Sequence, residues 1–202
     1  MGSNFNGVRG TRFLGNTYTG ISLDSSTWGG ITDLLFQGNL LTDNTVPQGM
    51  KHADLMQFRF STSRNVTIDG NVMISMRPIS HGIYLGGSYM DDYRYDHVVI
   101  SNNLVLASQR LALSVERVDG LTIVGNKVLS NRAAGRAPAT LLVEQSSTDV
   151  KIANNLANII AAAGPGWKTV AFPRGWSRGG SQTVTGAMKP PAVDGAPGCR
   201  VK

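Results

Sequence analysis

The chain of 202 residues is long enough for one domain or a short solenoid to bury a continuous core. Hydrophobic residues make up 41% and charged residues 16%, with 24 glycines and a formal charge of +6; this balance argues against a helical bundle and for a turn-rich β protein with a basic surface. No apolar run reaches the ~18 residues of a membrane-spanning helix, and a single cysteine, Cys199, excludes an internal disulfide framework and a cysteine-based metal site.

Residues 1–6 show no basic stretch followed by an apolar run, so no secretory signal is read there, and Asn6 stands where myristoylation needs Ser or Thr. From there a Gly-Asn or Asn-Asn pair recurs along the chain. Its second members are Asn16, Asn39, Asn71, Asn103, Asn126 and Asn155, at intervals of 23, 32, 32, 23 and 29 residues. Unequal periods in this range suit a solenoid whose loops vary while its rungs do not. Before the Asn, apolar residues alternate with period two: Leu34/Phe36, Val66/Ile68, Val98/Ile100, Leu121/Ile123 and Val150/Ile152. That spacing predicts a short strand with one buried face. The Gly-Asn pair then predicts a sharp bend, because both residues tolerate left-handed backbone conformations.

A second short strand is predicted after the bend, as at 72–74 and 104–106, and a third family at 20–23, 55–58, 82–85, 111–115, 140–143 and 169–172. Three strands per repeat describe one rung of a parallel β-helix. Stacked rungs would line the Asn residues in an inward ladder, each amide bonding its neighbour and the backbone of the bend. Isolated Gly-Asn turns also suit hairpins, but six copies at solenoid spacing favour the rungs. On this reading the segment 65–75 is scaffolding, and chemistry belongs to the neighbouring strands.

The pattern resembles the right-handed parallel β-helix superfamily of pectate lyases, polygalacturonases, alginate epimerases and phage tailspikes, over roughly residues 4–172. The expected fold is all-β: a right-handed parallel β-helix of about six rungs over residues 1–172, with an irregular Gly/Pro-rich cap or tail over 173–202. The first rung has no amphipathic helix before it. An open rung exposes core and strand edges, so a preceding domain or partner chains, as in a homotrimer or larger particle, are expected to cap it.

The resemblance implies a ligand groove along the sheet formed by 52–58, 81–87 and 110–117. One rung there supplies Lys51, His52, Asp54, Gln57 and Arg59, the next Arg77, His81 and Tyr84, and the third Arg110 and Glu116. His52 and His81 take equivalent places before successive strands. A His, an Asp and a Tyr beside Arg suit proton abstraction next to a uronate carboxylate, with a cation steadying the developing charge. A simple His52–Asp54 pair tying down the turn is the alternative. The stretch from His81 to Ser88 resembles the His-Gly-Ile-Ser-Ile-Gly-Ser segment of polygalacturonases, and His52 to Gln57 is similar to their Asn-Thr-Asp-Gly-Ile-Asp. By that match Asp54 would be a catalytic carboxylate with His81 as its neighbour. The polygalacturonase Asp-Asp pair is missing from the intervening turn, and the Asp-Pro-His motif of alginate epimerases is missing from the chain. The predicted catalytic set is His52, Asp54, His81 and Tyr84.

The loop at 89–97 adds Tyr89, Tyr93 and Arg94 as predicted sugar contacts, although a solvated loop fits it too. Asp91 and Asp92 suggest a weak Ca²⁺ site, and no other cofactor is indicated. Asn65-Val66-Thr67 matches a glycosylation sequon but falls inside a predicted strand. The net positive charge favours a polyanion, while the scattered placement of basic residues argues against nucleic acid. A solvated basic surface without a partner fits the same charge. The expected function is binding of an anionic polysaccharide with its cleavage or epimerisation, outside the cell or on a virion surface. A non-catalytic structural or adhesin module of a tailspike, fibre or surface spike is the alternative.

Overall fold

A computed structural model describes residues 3–6, 9–19, 21–24, 31–42, 53–59, 62–75, 80–86, 93–131, 138–144 and 146–162. The chain runs through three sheets in turn, A then B then C, and each strand pairs in parallel with the strand three places further on. Sheet A holds β1 (Ser3–Asn6), β4 (Ile21–Asp24), β7 (Ala53–Arg59), β10 (Ser80–Leu85), β13 (Leu111–Val115), β16 (Thr140–Val143) and β19 (Ile159–Ala162). Sheet B holds β2 (Arg12–Leu14), β5 (Ile31–Gln37), β8 (Ser63–Asp69), β11 (Tyr95–Ser101), β14 (Val118–Val124) and β17 (Thr148–Ala153). Sheet C holds β3 (Thr17–Thr19), β6 (Leu40–Thr42), β9 (Val72–Ile74), β12 (Leu104–Ala107), β15 (Lys127–Ser130) and β18 (Leu156–Ala157). This is a right-handed parallel β-helix of six rungs, with β19 beginning a seventh, as expected from the repeat; parallel crossovers are right-handed for the same steric reason that strands twist. The predicted strand at 169–172, the domain boundary near 172 and the tail over 173–202 lie outside the described residues.

The alternating apolar pairs of sheet B point inward and stack in register: Leu34 on Val66, Val98 and Leu121, and Phe36 on Ile68, Ile100 and Ile123. Each such side chain, once buried, contributes about 1.5–3 kcal/mol, and stacking identical rungs gives every one the same apolar neighbours.

The Asn ladder closes one corner of the coil. In each step the upper Asn receives two bonds at Oδ1, from the backbone N–H and the amide N–H of the Asn one rung earlier; for Asn71 and Asn103 both are 2.9 Å. The remaining amide hydrogen goes to a core-strand carbonyl, as from Asn103 to Phe36's counterpart Ile68 at 2.9 Å. Buried polar groups are thereby paired rather than stranded. The bend differs from expectation in one respect. The left-handed residue is the first of each pair, Gly15, Gly38, Gly70, Asn102, Gly125 and Asn154, while the ladder Asn has ordinary backbone angles. Asn at 102 and 154 is there as the next-best left-handed residue after glycine.

A second left-handed column lies six residues before each ladder Asn: Gly10, Asp33, Asn65, His97, Gly120 and Asp149. It interrupts the ladder of sheet B pairing at the same level in every rung, so that registers skip from Thr32/Arg64 to Leu34/Val66. Sheet A carries its own break. Leu55 and Met56 are both buried, as are Gly82 and Ile83, where strict alternation would turn one outward. The register shifts again between Leu111 and Leu113, and the close approach of Ala112's carbonyl, 2.0 Å from where a Cβ on Gly82 would stand, requires glycine there. The consequence reaches the surface: Asp54 and Gln57 on β7, and His81 and Tyr84 on β10, are three residues apart yet share the outer face.

Candidate functional site on the outer face of sheet A

Register places Asp54 opposite His81 and Gln57 opposite Tyr84. His81 Nδ1 and Asp54 Oδ1 are 3.0 Å apart, with the Asp54 side chain only 5% exposed and that of His81 19%. The carboxylate therefore sits behind the ring and fixes its orientation. One rung further, the Tyr84 hydroxyl donates to Glu116 Oε1 at 2.8 Å. Burial, the Glu116 hydrogen bond and the nearby Glu116 charge together push the Tyr84 phenol well above its ordinary value of 10.0, so it stays protonated as a donor.

Register corrects the expected equivalence: the place across from His81 on the neighbouring rung belongs to Asp54, and Asp54 pairs with His81. Lys51, His52, Arg77, Tyr89 and the suggested Ca²⁺ acids Asp91 and Asp92 lie outside the described residues, as does the side chain of Arg59. Gln57, Tyr84 and Glu116 are brought to the same face as Asp54 and His81. Arg110 is exposed just before β13, where its carbonyl accepts from Ala112 and Thr140. Arg94 is exposed at the entry to sheet B. Tyr93 is not on a solvated loop: it is 3% exposed, meets Tyr95 edge-on at 5.6 Å, and carries the Arg117 guanidinium 4.8 Å above its ring. Burial at the A-to-B corner takes that ring out of reach of a stacked sugar.

The described carboxylates of this face are Asp54, Glu116 and, on the same edge one rung on, the exposed Glu144. A second His–carboxylate contact, between the adjacent residues Asp96 and His97 on sheet B, is mostly exposed and shares Asp96 with Arg64 at 3.0 Å.

As a donor set, an imidazole and a carboxylate suit copper(II), nickel(II) or zinc. Among the described residues no group of three or more His, Cys, Asp or Glu gathers within reach of one ion. Among the described residues the Asp54–His81 pair therefore does not make a closed metal cage.

The fold is a β-helical solenoid whose sheet A carries the Asp54–His81 pair on its outer face. The chain belongs to the NosD family: the family model described as periplasmic copper-binding protein (NosD) matches residues 1–158. No curated protein and no solved structure matches the chain. The family match overturns the expected polysaccharide lyase or epimerase activity, and with it the alternative of a tailspike or adhesin module. The resemblance that suggested both resides in the rungs, and one fold hosts many unrelated functions.

Proposed function

We propose that the chain is a periplasmic copper-binding β-helix that offers copper(II) an open site on the outer face of sheet A. The observation that carries this reading is the Asp54–His81 contact between two rungs at 3.0 Å. His81 supplies an imidazole nitrogen, and Asp54 behind it orients the ring, the usual arrangement around a metal-bound histidine. Bound copper would supply a cation whose remaining positions are open to water or to a donor from another molecule. Fewer protein donors than the usual four hold an ion less tightly, which suits a surface that passes copper on better than one that stores it. Copper(II) stands at the top of the affinity order for such donors.

Titrating the chain with copper(II) chloride, followed by electron paramagnetic resonance, should reveal one site with nitrogen hyperfine structure. His81→Ala should abolish that signal and Asp54→Asn weaken binding by about 10- to 100-fold, while His97→Ala leaves both unchanged. A nitrogen signal that survives His81→Ala would sink the assignment, and its loss in His52→Ala alone would move the site elsewhere.

A further inference from the structure

Sheet C differs from the other two sheets in being apolar on both faces. Its inward residues Leu41, Met73, Val105 and Val128 belong to the core. Register sets a second apolar array on the outside: Leu40, Val72, Leu104, Lys127 and Leu156 align in one row. Ile74, Leu106 and Leu129 form the next. Leu40 is 36% exposed and the others are half-buried. The strands read accordingly, with Val72-Met73-Ile74 and Leu104-Val105-Leu106 showing no alternation, as in a parallel sheet covered on both sides. The outward places of sheet B are mostly polar, with Arg64 beside Asp96 and Thr67 two residues on from Asn65. The apolar stripe of sheet C spans five strands, roughly 19 Å, and its two rows stand roughly 7 Å apart.

We infer that residues 167–176 of this chain lie on the outer face of sheet C, independently of any copper site on sheet A. The size of the stripe excludes a larger occupant: it offers on the order of 200 Å², against the ~800 Å² each partner gives to a stable complex. A free partner or a second copy would have to meet the cost of association from that area alone, whereas a tethered segment does not. The chain supplies such a segment at the right end. Leu156, the last member of the stripe, stands on β18; β19 ends at Ala162, and residues 163–202, outside the described residues, follow from there. Forty residues at ~3.3 Å each can reach every rung of the stripe. The segments 43–52, 76–79 and 132–137, also outside the described residues, each link a single strand of sheet C to sheet A. Residues 167–176 bring Trp167, Val170, Phe172 and Trp176, four large apolar side chains within ten positions. An indole face also suits Lys127, the one charge in the stripe, because an ammonium is attracted to it.

The full chain carrying Trp28→Phe leaves Trp167 and Trp176 as its only indoles. Their emission should be blue-shifted from that of the urea-unfolded chain and poorly quenched by acrylamide. Leu106→Lys, on the outer face of sheet C, should shift it to the red, while Thr67→Lys, outward on sheet B, should leave it in place. A nitroxide on Ser177→Cys, with Cys199→Ser, should broaden the methyl signals of Ile74, Leu104 and Leu106 more than those of Leu35 and Val99 on sheet B. Trp176→Ser should weaken that broadening without touching the coil, so the test survives a Leu106→Lys protein that fails to fold. Solvent-like emission in the Trp28→Phe protein overturns the inference, and so does broadening no greater on sheet C than on sheet B. Broadening seen only when spin-labelled protein is mixed with isotope-labelled protein free of nitroxide assigns the face to a second copy and overturns it too.

Discussion

Asn103 Oδ1 accepts two hydrogen bonds from a single residue, Asn71, one from its backbone N–H and one from its amide, both at 2.9 Å. The geometry fixes the amide orientation, because a flipped Asn103 would set its NH₂ against two donors. Repeated from Asn16 to Asn155, the same pair of hydrogen bonds ties each rung to the next, and Asn39, Asn71, Asn103, Asn126 and Asn155 are all essentially buried.

Removing one member of the ladder should therefore cost more than its own bonds. Asn71→Ala deletes the acceptor of two bonds from Asn39 and the donors to Phe36 O and Asn103. Several buried groups are left unpaired at ~1–3 kcal/mol each, so urea unfolding should show a loss of about 3–5 kcal/mol. Asn16→Ala, at the exposed end of the ladder, should lose no more than about 1 kcal/mol. Equal losses at the two positions would mean that the ladder is ornamental and the strands alone hold the register.

The residue before each ladder Asn isolates backbone strain from packing. Gly70 has φ +61° and a Cβ added there would meet nothing within 4 Å. Gly70→Ala should still destabilise by about 1 kcal/mol, because an L side chain resists this conformation. Gly70→Asn should recover most of that loss, since Asn102 and Asn154 occupy the same place in other rungs with φ 54°. Thermal melts of the three proteins check the order Gly, then Asn, then Ala.

The rungs were legible because two periodicities coincide. Val66/Ile68 and its counterparts alternate with period two, and Asn71 and its counterparts recur at rung spacing; each pattern reports a contact repeated in every turn. The second left-handed column was equally present in the residue types Gly10, Asp33, Asn65, His97, Gly120 and Asp149, all of which tolerate positive φ. It is hard to see without the ladder as a ruler, since Asp and His also read as surface residues or ligands. The face of sheet A was legible in part. Asp54, His81, Tyr84 and, just past β13, Glu116 stand out as polar residues beside apolar ones, but the stacked breaks at Leu55 and Gly82 decide which of them meet, and those leave no alternation to read. The approach of Glu116 to Gly86 joins residues from different rungs, and a lone glycine at a strand end is more often a sign of backbone freedom than of space for a neighbour.

Asp69 makes the coil sensitive to acid. Partial burial raises its pKa, but hydrogen bonds from Ser101 at 2.7 Å, Gln37 at 2.8 Å and Asn102 at 2.9 Å outweigh that and hold it below the ordinary value of 3.8. A carboxylate with a depressed folded pKa stabilises the protein fully above its unfolded value and loses that contribution as pH falls through the folded one. The wild type should therefore exceed Asp69→Asn in urea stability at pH 7, and the gap should close as pH falls below 3.8. A gap independent of pH would assign the difference to shape rather than ionisation.

Tyr84 has the opposite signature, at the other end of the pH scale. Its phenol is raised above 10.0 first by burial and then by Glu116, so between the unfolded and folded values the unfolded chain gives up a proton that the native protein keeps. Stability is thus complete below pH 10 and declines as pH rises above it. Tyr84→Phe should flatten the alkaline limb of the stability curve relative to the wild type. Glu116→Gln should flatten it only in part, since burial remains when the charge is gone. Equilibrium unfolding followed from pH 8 to pH 11 measures both slopes, and identical limbs in Glu116→Gln and the wild type would show that the carboxylate does not act on the phenol.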